Sequence, residues 1–226
     1  GAGKSTIAKA VAKNLGIDYV DTGAMYRAVG YKASSRGVSP EDREAVKHLM
    51  EDTDIDFADG DIILDGEIIN DKIRTPEISK AASLYSAIPE VREKLVEIQR
   101  KMGMRKSVIM DGRDIGTVIL PDADVKIFLT ASPEARARRR ASQLEEKGET
   151  VSFEEILAAI NERDARDSGR TVAPLRAAAD AVLLDTSDMT LDESIAAAEQ
   201  IVRDTLAKKE KSLPHAENDA EKHPEI

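Results

Sequence analysis

No cysteine occurs anywhere in the sequence, so disulfides and thiolate metal centres are excluded, an absence that fits a cytoplasmic protein. Histidine is almost as scarce. His48, His215 and His223 stand far apart and the last two fall in a polar tail, which leaves zinc enzymes and Ser-His-Asp hydrolases poor candidates. No apolar run approaches the roughly 18 residues of a membrane span, so no membrane partner is expected. Positive charge is in deficit. A formal net charge of −10 argues against a binder of nucleic-acid polymers, whose backbones are held chiefly by Lys and Arg. What remains, 41% hydrophobic and 34% charged over 226 residues, suffices for one substantial core or a core with a small lobe, and nothing in it demands more than a monomer.

The chain opens on GAGKSTIAKAVAKNLG. Gly-Lys-Ser running into a helix is the second half of a phosphate-binding P-loop, whose full pattern is Gly, four residues, Gly, Lys and then Ser or Thr. Ile7, Val11 and Leu15 recur every four residues and Gly16 follows as a C′ residue, which predicts one helix beginning at the loop. The helix N-terminus offers unpaired N–H groups and a positive dipole end, Gly3 lets backbone approach phosphates, Lys4 neutralises the β and γ groups, and Ser5 can ligate Mg2+. Gly1, Ala2, Gly3, Lys4, Ser5 and Thr6 form the expected cradle for ATP. A P-loop normally follows a strand, so a short apolar strand and a Gly-containing turn are expected ahead of Gly1.

Four apolar segments read as buried strands, at 17–20, 107–110, 125–129 and 181–185, with helical patterns between them. Near 52–72, DIDFADGDIILDGEIIN alternates between Asp-Gly turns and predicts a small antiparallel meander. Ser39 is expected to cap a helix with Pro40 at its first position, and Ser132 and Pro133 to repeat the device. Capping boxes stand at Ser152 to Glu155 and Thr190 to Glu193. The stretch from Thr75 to Gly103 reads as helical, broken near Pro89. From about Lys208 the chain mixes charge with two prolines and is expected to lack fixed structure.

SVIMDGRD places Asp111 at the carboxyl end of an apolar strand, where open α/β sheets gather ligands and P-loop enzymes keep an acid near Mg2+. The same aspartate could equally cap a turn. Arg113 and Asp114 could pair with each other, or divide between an anion and the polar edge of a substrate. Arginines cluster in ARARRRASQ and NERDARDSGR, either as solvated helix faces or as a pocket for a small polyanion. An acceptor that is itself a phosphate monoester is mostly dianionic near neutral pH, its second pKa being roughly 6, so its phosphorylation needs no strong general base. The chain matches that requirement, with many arginines and no histidine in any candidate site.

GAGKST, DTGAMYRA, RTPEISKAAS, PEVREKL, DGRDIGT and ERDARDSGR stand in the order, and at about the spacing, that resembles bacterial cytidylate kinases, from Gly1 to about Leu206. DGRDIGT together with RDxRDxxR is far more specific than a P-loop. The resemblance implies an α/β P-loop kinase fold, a parallel sheet flanked by helices, with a small antiparallel monophosphate-binding insert and a helical lid. It implies a core at 1–36, 105–135 and 168–207, the insert at 37–104, the lid at 136–167 and a tail at 208–226. The implied reaction is phosphoryl transfer from ATP, with Mg2+, to CMP or dCMP. The resemblance puts Thr22, Tyr26 and Arg27 at the acceptor phosphate, and Arg113 and Arg163 on phosphate or pentose. It puts Ser83, Arg92, Asp114 and Arg170 on the cytosine edge, Asp167 on sugar hydroxyls, and Arg136, Arg139 and Arg140 over the transferring phosphate. Lys4, Asp111, Arg113 and these three lid arginines are the expected catalytic set, with Ser5 and Asp111 on the metal. The residues themselves leave open another small-molecule P-loop kinase, UMP being the nearest alternative acceptor, or a non-catalytic nucleotide binder.

Overall fold

A computed structural model of the chain describes residues 3–58, 60–146, 148–169 and 175–212, the side chains of Arg166, Asp167 and Ser212 apart. Gly1, Ala2 and Arg170 lie outside the described residues, as does the side chain of Asp167.

Helix α1, Lys4–Leu15, buries Ile7, Val11 and Ala12 on one face and ends at Gly16, whose φ of 67° is the left-handed turn that closes the helix. Strand β1, Asp18–Asp21, follows and runs directly into helix α2, Thr22–Ser35. Asp21 caps that helix, its Oδ1 accepting from Ala24 N–H at 3.0 Å.

Helix α3, Arg43–Glu51, begins later than expected. Asp42 is its cap, accepting from Ala45 N–H at 3.0 Å, whereas the Ser39 hydroxyl accepts from Glu41 N–H within a local turn. Two capping residues compete three positions apart, and the one with hydrophobic Val46, Leu49 and Met50 in phase behind it prevails.

The meander is present. Strands β2, Ile55–Ala58, β3, Asp61–Leu64, and β4, Glu67–Ile68, pair antiparallel with Ile55 opposite Leu64 and Phe57 opposite Ile62. These four side chains are buried and carry the insert's contribution to the main core. At the β3–β4 turn Asp65 and Gly66 take φ of 51° and 84°, the paired left-handed residues that favour Asp-Gly. Helices α4, Pro76–Tyr85, and α5, Pro89–Arg105, divide at Pro89 as read.

Gly30 is where α2 meets α4 most closely. A Cβ there would come within 2.9 Å of the Ala82 backbone nitrogen, so only glycine admits this helix crossing without movement of the chain. Met25, Ile55, Leu95 and Met102 are fully buried in the same core, each worth roughly 1.5–3 kcal/mol relative to exposure.

The remaining strands are β5, Val108–Asp111, β6, Ile127–Thr130, and β7, Val182–Asp185, all within two residues of their expected places. They are parallel and flanked by helices. β1 pairs with β5, placing Asp21 opposite Asp111, and β6 pairs with β7, placing Thr130 opposite Asp185. No ladder joins β5 to β6 among the described residues. Both pairs nevertheless share one apolar cluster with α1 and with helix α8, Leu191–Ser212, through Ile7, Val11, Ile109, Ile127, Leu129, Leu184 and Ala198. A π-helical turn, Ile115–Ile119, follows β5.

Helices α6, Pro133–Glu145, and α7, Phe153–Ser168, start at Ser132 and at the Ser152–Glu155 capping box as expected, and close on a small cluster of Ala137, Leu144 and Ile156. Helix α8 starts at the Thr190–Glu193 box and continues to Ser212, past the point near Lys208 where structure was expected to stop. In that added turn Lys209 meets Asp124 at 3.1 Å. Residues 213–226 lie outside the described residues.

Candidate active site

β1 and β5 end side by side at Asp21 and Asp111, and the first turn of α1 begins there. Gly3 takes φ of 76° and its carbonyl accepts from Ile7 N–H at 2.9 Å, so the chain turns sharply into the helix. From that turn Lys4 and Ser5 converge on one carboxylate oxygen: Lys4 Nζ is 3.2 Å and Ser5 Oγ 2.5 Å from Asp111 Oδ2. Asp111 is 5% exposed, so its charge stands away from water and is held by these two groups. Thr6 faces solvent.

Thr22 is buried, and its hydroxyl donates to the Asp111 carbonyl at 2.7 Å, tying the exit of β1 to the end of β5. The contact requires Gly112. A Cβ on that residue would lie 2.9 Å from Thr22 Oγ1 and 2.6 Å from Ile115 Cδ1. Arg27, one turn into α2, donates to Asp21 Oδ2 at 2.9 Å, so one aspartate both caps the helix and orients its arginine. Tyr26 is half-buried against the main core.

After β5 the turn carries Arg113, half-buried, and Asp114, which accepts from Arg92 Nη2 at 2.7 Å. The pair is well shielded, at 18% and 15% side-chain exposure, and it joins α5 to the turn, not Arg113 to its neighbour. Ser83 is exposed on α4.

Across α6 and α7 the arginines divide. Arg136 is bidentate to Asp164, at 2.9 and 2.5 Å, and its Nε donates to the Ala131 carbonyl at 3.0 Å. The guanidinium holds the Asp164 carboxyl below its usual range, and the carboxylate raises Arg136 in turn. Arg139 reaches the carbonyls of Thr186 and Met189 beyond β7, the latter at 3.1 Å, and so clamps the loop into α8. Arg140 and Arg163 are exposed.

A family model described as Cytidylate kinase matches residues 1–205. Cytidylate kinases of Fervidobacterium nodosum, Clostridioides difficile (strain 630) and Caldanaerobacter subterraneus subsp. tengcongensis are 50%, 51% and 50% identical to the chain, over 90%, 86% and 90% of it and 93%, 90% and 91% of the relatives. The chain belongs to the cytidylate kinase family. It is a nucleoside-monophosphate kinase that phosphorylates CMP and dCMP with ATP.

In this kinase Lys4, Ser5 and Asp111 gather at the end of β5. A hollow of about 510 Å³ lies elsewhere, lined by charged residues from the ends of α2 and α3, the meander and α5, Arg36, Asp52, Asp65 and Lys94 among them, and contains none of the site residues. No group of three or more carboxylate or histidine ligands occurs among the described residues. Ser5 and Asp111 bring a hydroxyl and a carboxylate together, oxygen donors of the kind Mg2+ takes beside water and substrate phosphates. No helix of the described residues is long and apolar enough to cross a membrane.

Three site residues escaped the sequence reading. Asp21 carries a signal that could have revealed it, an acid directly before a helix, at a strand's carboxyl end. Asp164 stands inside the ERDARDSGR stretch but was masked by its arginines. Tyr19 has no signal of its own. Its hydroxyl is shut off from solvent with no hydrogen bond to any described residue, and burial, reinforced by Asp111 and Asp21, pushes its pKa well above the ordinary phenol value.

Proposed function

We propose that the ends of β1 and β5, with the first turn of α1, hold the ATP phosphates, and that the face built from α2, α4, α5 and the turn after β5 holds the acceptor CMP or dCMP. The observation that carries this is the meeting of Lys4 and Ser5 on Asp111, a cation, a hydroxyl and a carboxylate at a helix N-terminus. Lys4 binds the β- and γ-phosphates. Ser5 and Asp111 would hold Mg2+, which would supply positive charge against the phosphates.

Arg27, oriented by Asp21, receives the acceptor phosphate, and Arg113 and Arg163 add positive charge there and at the pentose. Arg92 and Asp114 offer a donor edge and an acceptor edge held against each other, and Ser83 and Arg170 complete the reading of cytosine. Asp167 bonds the sugar hydroxyls. Thr22 acts through the backbone of Asp111, and Tyr26 packs beneath Arg27. The α6–α7 hairpin is the lid. Arg140 is its arginine for the transferring phosphate; Arg136 and Arg139 start from Asp164 and the β7–α8 loop and reach the phosphate only by exchanging those partners on closure. The acceptor dianion attacks directly, so positioning and charge carry the rate. The enzyme acts as a cytoplasmic monomer on small nucleotides, not on nucleic-acid polymers.

Base selection tests this reading. A buried donor or acceptor left unpaired costs about 1–3 kcal/mol, so CMP and dCMP presented with equal UMP, AMP and GMP are expected to be consumed at least about tenfold faster than either purine. Chromatography of the diphosphate products reads the ratio. Equal use of a purine acceptor removes Arg92 and Asp114 from base recognition, and preference for UMP reassigns the acceptor.

A further inference from the structure

Tyr19 pairs with Ile109 in the β1–β5 ladder. Side chains alternate along strands, so Tyr19, Asp21, Ile109 and Asp111 share one face. It is the face covered by α1, since Ile109 packs with Ile7 and Val11. The Tyr19 hydroxyl therefore ends beneath the first turn of α1, where Ser5 and Asp111 are the polar side chains facing it. Neither reaches hydrogen-bond geometry, and the oxygen is sealed from solvent. A buried hydroxyl without a partner is destabilising, and each such group in a folded protein calls for a reason.

The reason follows from the donors that now hold Asp111. Lys4 and Ser5 satisfy its carboxylate in this structure. Both belong to the phosphate cradle, and on nucleotide binding both turn toward phosphate oxygens and the cation. A carboxylate that is 5% exposed then loses two donors at once. The phenolic O–H below it has no hydrogen-bond partner among the described residues.

The geometry points to Tyr19 as a positioning residue that donates its hydrogen bond to Asp111 when nucleotide draws Lys4 and Ser5 away, keeping the carboxylate aimed at the phosphate side of the cleft. The inference rests on the donor site proposed above. It assigns the orphaned hydroxyl to the nucleotide-bound state, in which it is satisfied, and makes β1 part of the catalytic apparatus through its middle residue as well as its end.

Tyr19→Phe removes only the oxygen. The ligand-free variant is expected to melt at the same temperature as the parent or about 2–4 °C higher, because a packed ring replaces an unsatisfied hydroxyl. Binding of ADP with Mg2+, measured by titration calorimetry, is expected to weaken about tenfold and kcat to fall by a similar factor, with the KM for CMP within twofold. A purely structural role moves the ligand-free melting temperature downward and leaves nucleotide affinity alone; that result overturns the inference. So does unchanged affinity and turnover in a variant that folds. A parent protein that binds no ADP with Mg2+ overturns the donor-site reading as well, which separates the two failures.

Discussion

Replacing Lys4 with alanine is expected to cut kcat by about 10²–10³-fold while the KM for CMP stays within a few-fold, because a fixed donor aimed at charge that moves in the transition state acts on rate more than on acceptor binding. The fold should tolerate the change. Lys4 is 42% exposed and its partner Asp111 keeps the Ser5 hydroxyl at 2.5 Å. Steady-state kinetics with CMP varied at saturating ATP, alongside a melting curve, gives both quantities. Turnover within a few-fold of the parent would remove Lys4 from the mechanism.

Asp111→Asn is the second large effect. The amide keeps the volume of a buried side chain and leaves the backbone carbonyl that accepts from Thr22, so β1 and β5 stay joined. What disappears is the negative charge beside Lys4 and Ser5, and with it a group that would hold the cation. Turnover is expected to fall about 10²-fold or more and the Mg2+ concentration for half-maximal rate to rise. A variant with parental rate and parental Mg2+ dependence would reduce Asp111 to a strand-end residue, the alternative its position in the sequence always allowed.

Local devices announced themselves in the sequence because the residues that make them are neighbours. The four-residue spacing of α1, the Ser132–Pro133 start of α6, both capping boxes and the Asp65–Gly66 turn are all written within a few positions. Ser39 misled for the same reason: it has a real local bond, to Glu41, but three residues later Asp42 has one that continues into a buried helix face. In the last turns of α8 Lys209 meets Asp124, 85 positions away, a contact that no window of sequence contains.

The site residues came largely from motif resemblance, and their pairings came only with the fold. Asp114 was open to Arg113, its neighbour; the fold gives it Arg92, 22 positions earlier. Arg136 and Arg139, expected over the transferring phosphate, are held by Asp164 and by the carbonyls beyond β7. An arginine-rich run says how much positive charge is available, and only packing says which of it is already committed.

The central claim is that two nucleotides meet between the first turn of α1 and the turn after β5. A crystal structure with a bisubstrate analogue joining cytidine and adenosine through a polyphosphate chain tests it most directly. The account predicts phosphate oxygens about 2.7–3.2 Å from Lys4 Nζ and the Arg27 guanidinium, with the cytosine edge on Arg92 and Asp114. A cytosine seated away from that pair, or a phosphate chain that touches neither Lys4 nor Arg27, would contradict it.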